Sequence, residues 1–204
     1  MKQPLVILDN GHGNNTPGKR SPKFEDGHQI FEYELNRRLV YAISEKLKHK
    51  DLSHIILVPE LDDTSLQERV NRVNSICKNK PEYNPVLISV HFNAFGTSWN
   101  NATGWEVWVS SGASNKSKTM ASTLAYEMKR DCRMGYPLRI YSPSIPYKTA
   151  NFYILRRTIC PAVLTENGFM TNKSDVSFFN TADGMGVLAD IHVKAIGKYF
   201  EINL

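Results

Sequence analysis

Three short apolar runs, each ending in residues of a chemically useful kind, constrain this chain more than any other feature. Residues 5–9 lead into Asn10-Gly11-His12-Gly13, residues 86–90 into His91-Phe92-Asn93-Ala94, and residues 162–165 into Glu166-Asn167-Gly168-Phe169. Runs of this length, rich in Val, Ile and Leu and bounded by Pro, Asn or Gly, suit strands covered on both faces, the usual setting of a parallel sheet. Between them lie stretches with helical periodicity. From Ile30 onward, Phe31, Leu35, Leu39, Ile43 and Leu47 recur every four residues; residues 65–78 place Leu66, Val70, Val73 and Cys77 inward behind a capping box of Ser65 and Glu68; residues 116–133 form a further helix; and residues 183–200 align Leu188, Ile191, Ala195 and Tyr199 on one face. Two more strands are expected, at 54–59 and at 103–110, the second alternating as an edge or half-exposed strand. Strands alternating with helices of this length predict an α/β fold: three layers, with a mostly parallel central sheet and helices on both faces.

Composition narrows the function. The chain of 204 residues is read as a single domain, 1–204, long enough to bury its core without disulfides. Its 25 Lys and Arg against 20 Asp and Glu are scattered, so no nucleic-acid groove is expected. Cys77, Cys132 and Cys160 are widely separated and form no C-x-x-C pair, so reduced, mostly buried thiols are expected rather than a disulfide framework or a cysteine metal knuckle. No run approaches the roughly 18 apolar residues of a membrane span. A strand begins by Leu5, too early for a preceding signal peptide, so the expectation is either a protein made without one or one from which it has been removed.

Two long polar stretches are read as loops: 10–29, and 136–150 as a segment that contacts substrate. The helix after the first carries an anomaly. At 100° per residue Glu32 falls about 20° from the centre of the apolar stripe, whereas Glu34 lies nearly opposite it. A carboxylate on a buried face is costly unless paired or bound to metal; attraction to the helix dipole is the alternative account. In open α/β sheets, sites form at the carboxyl ends of the strands. If the three apolar runs are parallel neighbours, His12, His91 and Glu166 share one crevice, and Glu32 joins them. Two imidazoles and a carboxylate with an open fourth position match a catalytic zinc set, leaving Glu166 as general base on metal-bound water. His49 and His54 flank a helix-to-strand turn, His192 faces the inside of the last helix, and His28 lies in the long loop where it could line the cleft.

These residues resemble the amidase-3 type of zinc-dependent N-acetylmuramoyl-L-alanine amidases. Asp9-Asn10-Gly11-His12-Gly13 is similar to the family's Asp-Pro-Gly-His-Gly, Glu32-Tyr33-Glu34-Leu35-Asn36 to Glu-Lys-x-Leu-Asn, Ser89-Val90-His91-Phe92-Asn93-Ala94 to Ser-Ile-His-x-Asn-Ala, and the stretch through Thr165-Glu166-Asn167-Gly168-Phe169 to Val-Glu-x-Gly-Phe. The resemblance spans essentially the whole chain and implies a zinc-peptidase-like (phosphorylase/hydrolase-like) fold, Zn²⁺ held by His12, Glu32 and His91, and Glu166 as catalytic acid. It further implies hydrolysis of the amide between N-acetylmuramic acid and L-alanine in peptidoglycan. Asn93 and Arg156 are expected to orient ligands or the anionic stem peptide. Asn10, Phe92 and Asn167 depart from the family pattern, and Phe92 and Asn167, flanking the chemistry, bear on substrate preference. The alternatives are a zinc peptidase acting within the stem peptide and a non-catalytic peptidoglycan-binding module. A monomer without a wall-binding domain is expected, acting at the cell wall as a prophage-type lysin made in the cytoplasm or as an exported enzyme.

Overall fold

A computed structural model of the chain describes residues 2–131 and 137–203. Its strands are β1 (Gln3–Asn10), β2 (His54–Ile56), β3 (Tyr83–Asn93), β4 (Trp105–Val109), β5 (Lys148–Thr149) and β6 (Ala162–Phe169). The helices are α1 (Glu32–Lys48), α2 (Leu66–Asn79), α3 (Asn115–Arg130), α4 (Tyr153–Arg157), α5 (Lys173–Phe179) and α6 (Ala182–Phe200). The strands form one sheet in the order β2-β1-β3-β6-β4-β5. β2, β1, β3 and β6 run parallel; β4 is antiparallel to β6, and β5 is parallel to β4. The three strands with chemically loaded ends are therefore adjacent and point the same way.

Side chains alternate across the sheet, as strand geometry requires. Val6, Leu8, Val86, Ile88 and Val163 face a cluster built with Leu35 and Leu39 of α1, Leu124 of α3 and Leu188 of α6. Leu5, Ile7, Leu87, Ala162 and Leu164 face a smaller cluster with Val70 and Val73 of α2 and Ile154 and Leu155 of α4. The arrangement is the expected α/β layering, with helices on both faces.

Local expectations are met with definite exceptions. α1 begins at Glu32, with Phe31 as its N-cap, rather than at Ile30. Ser65 does cap α2, accepting from the Glu68 N–H at 3.2 Å, but the Glu68 carboxylate pairs with Arg72 rather than closing the box. Leu66 is 53% exposed, because Arg69 takes the inward place in the first turn of α2. β4 is not half-exposed: Trp105, Glu106, Val107 and Val109 are buried, since β5 pairs along its outer side and α3 packs against it. The stretch read as a loop at 136–150 contains β5, and α4 and α5 were too short to register as periodic segments. Cys77 and Cys160 meet with their thiols hydrogen-bonded, both half-buried and unbridged. Cys132, the expected helix end at Arg133 and the expected loop start at Tyr136 lie outside the described residues. No helix among the described residues is long and apolar enough to cross a membrane.

Candidate metal centre and its cleft

The first histidine is held by an unusually constrained loop. A Cβ on Gly11 would come within 2.0 Å of the His91 ring, and one on Gly13 within 2.1 Å of the Asp63 backbone nitrogen, so both positions admit only glycine. His12 between them has φ of 63°, the left-handed region. The surrounding donors explain how that conformation persists: Arg37 and Arg69 donate to the His12 carbonyl at 3.1 and 3.3 Å, and Asn36 to the Gly11 carbonyl at 2.8 Å. Arg69 is itself buried, donating to Asp9 at 2.6 Å and Asp63 at 3.0 Å, while Ser89 donates to the other oxygen of Asp9 at 2.5 Å.

Glu32 enters from the first turn of α1, where its N–H donates to the Lys19 carbonyl at 3.0 Å. It is 3% exposed, whereas Glu34 is exposed, as the helical angles require. Its Oε1 lies 2.9 Å from His91 Nδ1 and 3.4 Å from His12 Nε2, and also accepts from the Phe92 N–H at 3.4 Å. The two imidazoles meet edge-on, centroids 5.0 Å apart at 85°. One donor atom from each of His12, Glu32 and His91 lies within 4.8 Å of the others. Burial pushes the Glu32 carboxyl up, but the hydrogen bonds from His12 and His91 outweigh it and hold the group well below the usual carboxylate range. Burial works against a charged His91, and its hydrogen bond to Glu32 together with the charges of Glu32, Glu166 and Asp9 reverses this, raising its pKa.

Glu166 stands directly across from His91 in the β3–β6 pairing. Burial pushes its carboxyl up to about 8; His91 pulls the other way, and the charges of Glu32 and Glu106 add to the rise. Its Oε2 is buried with no hydrogen-bond partner among the described residues. A buried, unpartnered oxygen beside a converging His, Glu, His set is what a site built for a cation and a reacting molecule requires, so these residues fit a zinc ion. Glu32, His91 and Glu166 line a cleft of about 230 Å³ together with Lys19, Asn93 and Met170. A larger cavity of about 710 Å³ beside α3 is lined, among the described residues, by Lys129, Arg130 and Lys198 and by no His, Cys, Asp or Glu.

The other expected site residues fare differently. Asn93 lines the cleft and donates to Glu106 Oε2 at 3.3 Å. Phe92 also lines the cleft, but its ring is buried against Phe179, centroids 4.7 Å apart. Asn167 is also buried: it donates to the His91 carbonyl at 2.9 Å and accepts from the Trp105 indole at 2.8 Å, bracketing three strands. Arg156 is exposed on α4, its guanidinium 5.8 Å from the Tyr153 ring centroid, and does not line the cleft. His28 stacks on Phe24 and pairs with Asp26, away from the ligand cluster. His54 bonds to Ser44 and Leu52, and His192 to Leu188 and Thr165. Sequence reasoning missed Lys19 and Glu106; only Glu106 carried a signal, as an acid between two tryptophans in an alternating strand.

Two histidines and a carboxylate converging beside a further buried acid, at the carboxyl ends of parallel strands, suit metal-assisted hydrolysis. The chain belongs to the amidase-3 family, described as N-acetylmuramoyl-L-alanine amidase, whose model matches residues 6–198. It is 26% identical over 199 residues to the sporulation-specific N-acetylmuramoyl-L-alanine amidase of Bacillus subtilis (strain 168), covering 97% of this chain and 68% of that protein. It is 25% identical over 203 residues to the endolysin of Bacillus phage SPP1, covering 97% of this chain and 66% of the endolysin. Among solved structures, the N-acetylmuramoyl-L-alanine amidase from Clostridium difficile 630 superposes with a TM-score of 0.80 at 25% identity, over 98% of both chains. The catalytic domain of CwlV from Bacillus (Paenibacillus) polymyxa var. colistinus shares the fold, with a TM-score of 0.79 at 22% identity over 100% of both. This chain is accordingly an enzyme, a peptidoglycan amidase.

Proposed function

We propose that the enzyme uses zinc, held by His12, Glu32 and His91, to hydrolyse the amide between the lactyl group of N-acetylmuramic acid and the L-alanine of the stem peptide, with Glu166 as general base. The observation that carries this reading is the orphaned Oε2 of Glu166 across from the three-donor cluster. Bound there, zinc supplies a Lewis acid that polarises a carbonyl oxygen and lowers the pKa of water to about 7.

The chain's own residues do the rest. Glu166, pushed up to about 8, holds and releases a proton near neutral pH. Its Oε2 takes the proton of the attacking water and returns it to the L-alanine nitrogen, because an amide nitrogen leaves poorly unless protonated. Asn93 and Lys19, which line the cleft, orient the substrate.

Mass spectrometry of digested muropeptides, with and without chelator, tests the reading. It requires intact stem peptides beginning at L-alanine, released only while metal is present. Cleavage between stem-peptide residues would indicate a zinc peptidase instead, and tight sacculus binding without products a non-catalytic module. Glu166→Ala is expected to retain metal and to lose at least ~100-fold in turnover; wild-type turnover in the metal-loaded variant would remove Glu166 from the mechanism.

A further inference from the structure

The proposed chemistry makes no use of the most heavily paired acid near the cleft. Glu106 of β4 is buried and stands directly across from Glu166 in the antiparallel pairing, so the two side chains project from the same face. Glu106 Oε1 accepts from Arg139 Nε at 2.6 Å and Lys148 Nζ at 2.7 Å; Oε2 accepts from the Trp108 indole at 3.1 Å and from Asn93 at 3.3 Å. One carboxylate thus holds two cations, and the cluster keeps one positive charge one hydrogen bond away from a residue of the cleft wall. The neighbouring acid Asp175 is engaged elsewhere: its oxygens accept from the Thr103 hydroxyl and from the Gly104 and Phe169 N–H groups rather than from either cation.

Of the two cations, Lys148 is the more enclosed, over the Trp108 ring. Arg139 is 43% exposed. Its position is nevertheless fixed: Nε is bound to Glu106, one terminal nitrogen donates to the Thr103 carbonyl at 3.3 Å, and the guanidinium lies over the Phe169 ring. Its other terminal nitrogen has no partner among the described residues. A pre-oriented, half-exposed guanidinium with a spare donor, sharing its carboxylate with a second cation, is suited to a carboxylate.

We propose that Arg139, held on Glu106 beside Lys148, is a specificity-determining residue that binds a free carboxylate of the stem peptide while the scissile amide lies at Glu166. This rests on the amidase reading above. It assigns to Arg139 the role expected of Arg156, and it makes Glu106 the positioning residue for both Arg139 and Asn93.

The test uses two muropeptides that differ only in whether the second stem residue carries a free carboxylate or a carboxamide. The wild-type enzyme is expected to prefer the carboxylate about tenfold in kcat/KM, through KM. Arg139→Gln is expected to abolish that preference, with kcat for both substrates within about twofold of wild type, and Arg139→Lys to retain part of it, the charge without the fork. Absence of a preference in the wild type, or an Arg139→Gln penalty equal for both substrates, overturns the proposal. If the wild type frees a peptide beginning at L-alanine from neither substrate, the amidase reading itself fails, and the subsite falls with it.

Discussion

Two buried polar clusters lie side by side beneath the His12 loop, and they differ in one respect. In the Asp9–Arg69 cluster every valence is filled. The five N–H donors of Arg69 reach Thr64, Asp9, Asn10, His12 and Asp63, and the second oxygen of Asp9 is taken by Ser89. In the His12–Glu32–His91 cluster three donors crowd one oxygen of Glu32, while Glu166 nearby keeps an oxygen with no partner among the described residues. Both clusters bear the cost of burying charge. The saturated one returns that cost as rigidity in the loop that carries His12; the other leaves its surplus of lone pairs facing the cleft, where the proposed mechanism puts a cation and a reacting amide.

The contrast can be broken experimentally. The largest effect is expected for His91→Ala, which should lose bound metal and hydrolysis together; unchanged metal stoichiometry by elemental analysis would place the centre elsewhere. Next is Arg69→Met, which strands the buried Asp9 carboxylate and should destabilise the protein by about 3–5 kcal/mol in urea denaturation. A loss below about 1 kcal/mol would mean that the saturated cluster is not the support it is taken to be. The smallest effect concerns His192, another buried group with both ring nitrogens partnered. Burial brings its pKa from an ordinary 6.5 down to about 4. The unfolded chain therefore binds the proton first as pH falls, so this contribution is full above pH 6.5 and is lost as pH drops through 4, amounting to about 3 kcal/mol. His192→Leu should flatten the fall in stability between pH 7 and pH 4 by roughly that amount, and an unchanged slope would show that other groups carry it.

Much of the site was legible because its signals are local. A strand that ends in His91 or Glu166 announces itself within nine residues, and Glu32 stands out because helical periodicity alone puts a charge on the apolar stripe. What failed to read were partnerships across the sheet. Arg139 and Lys148 reach Glu106 from 33 and 42 residues away, with no local pattern to link them, so Arg156, close to the final motif, drew the attention instead. Asn167 looked like a cleft residue beside Glu166, yet alternation turns it to the opposite face, where Trp105 and the His91 carbonyl bind it. Cys77 and Cys160 come together for the same reason: α2 and α4 cover one face of the sheet.

By itself, the sequence determined the alternation of strands and helices, the identity of the His, Glu, His donor set and the presence of one further acid, since residue type and hydrophobic period are properties of short segments. Only the tertiary structure decided that β1, β3 and β6 lie adjacent and parallel, that β4 returns antiparallel to set Glu106 opposite Glu166, and that Arg139 rather than Arg156 is bound to Glu106. Strand order and register follow from how the whole chain buries its two apolar faces, and that balance is not written in any one segment.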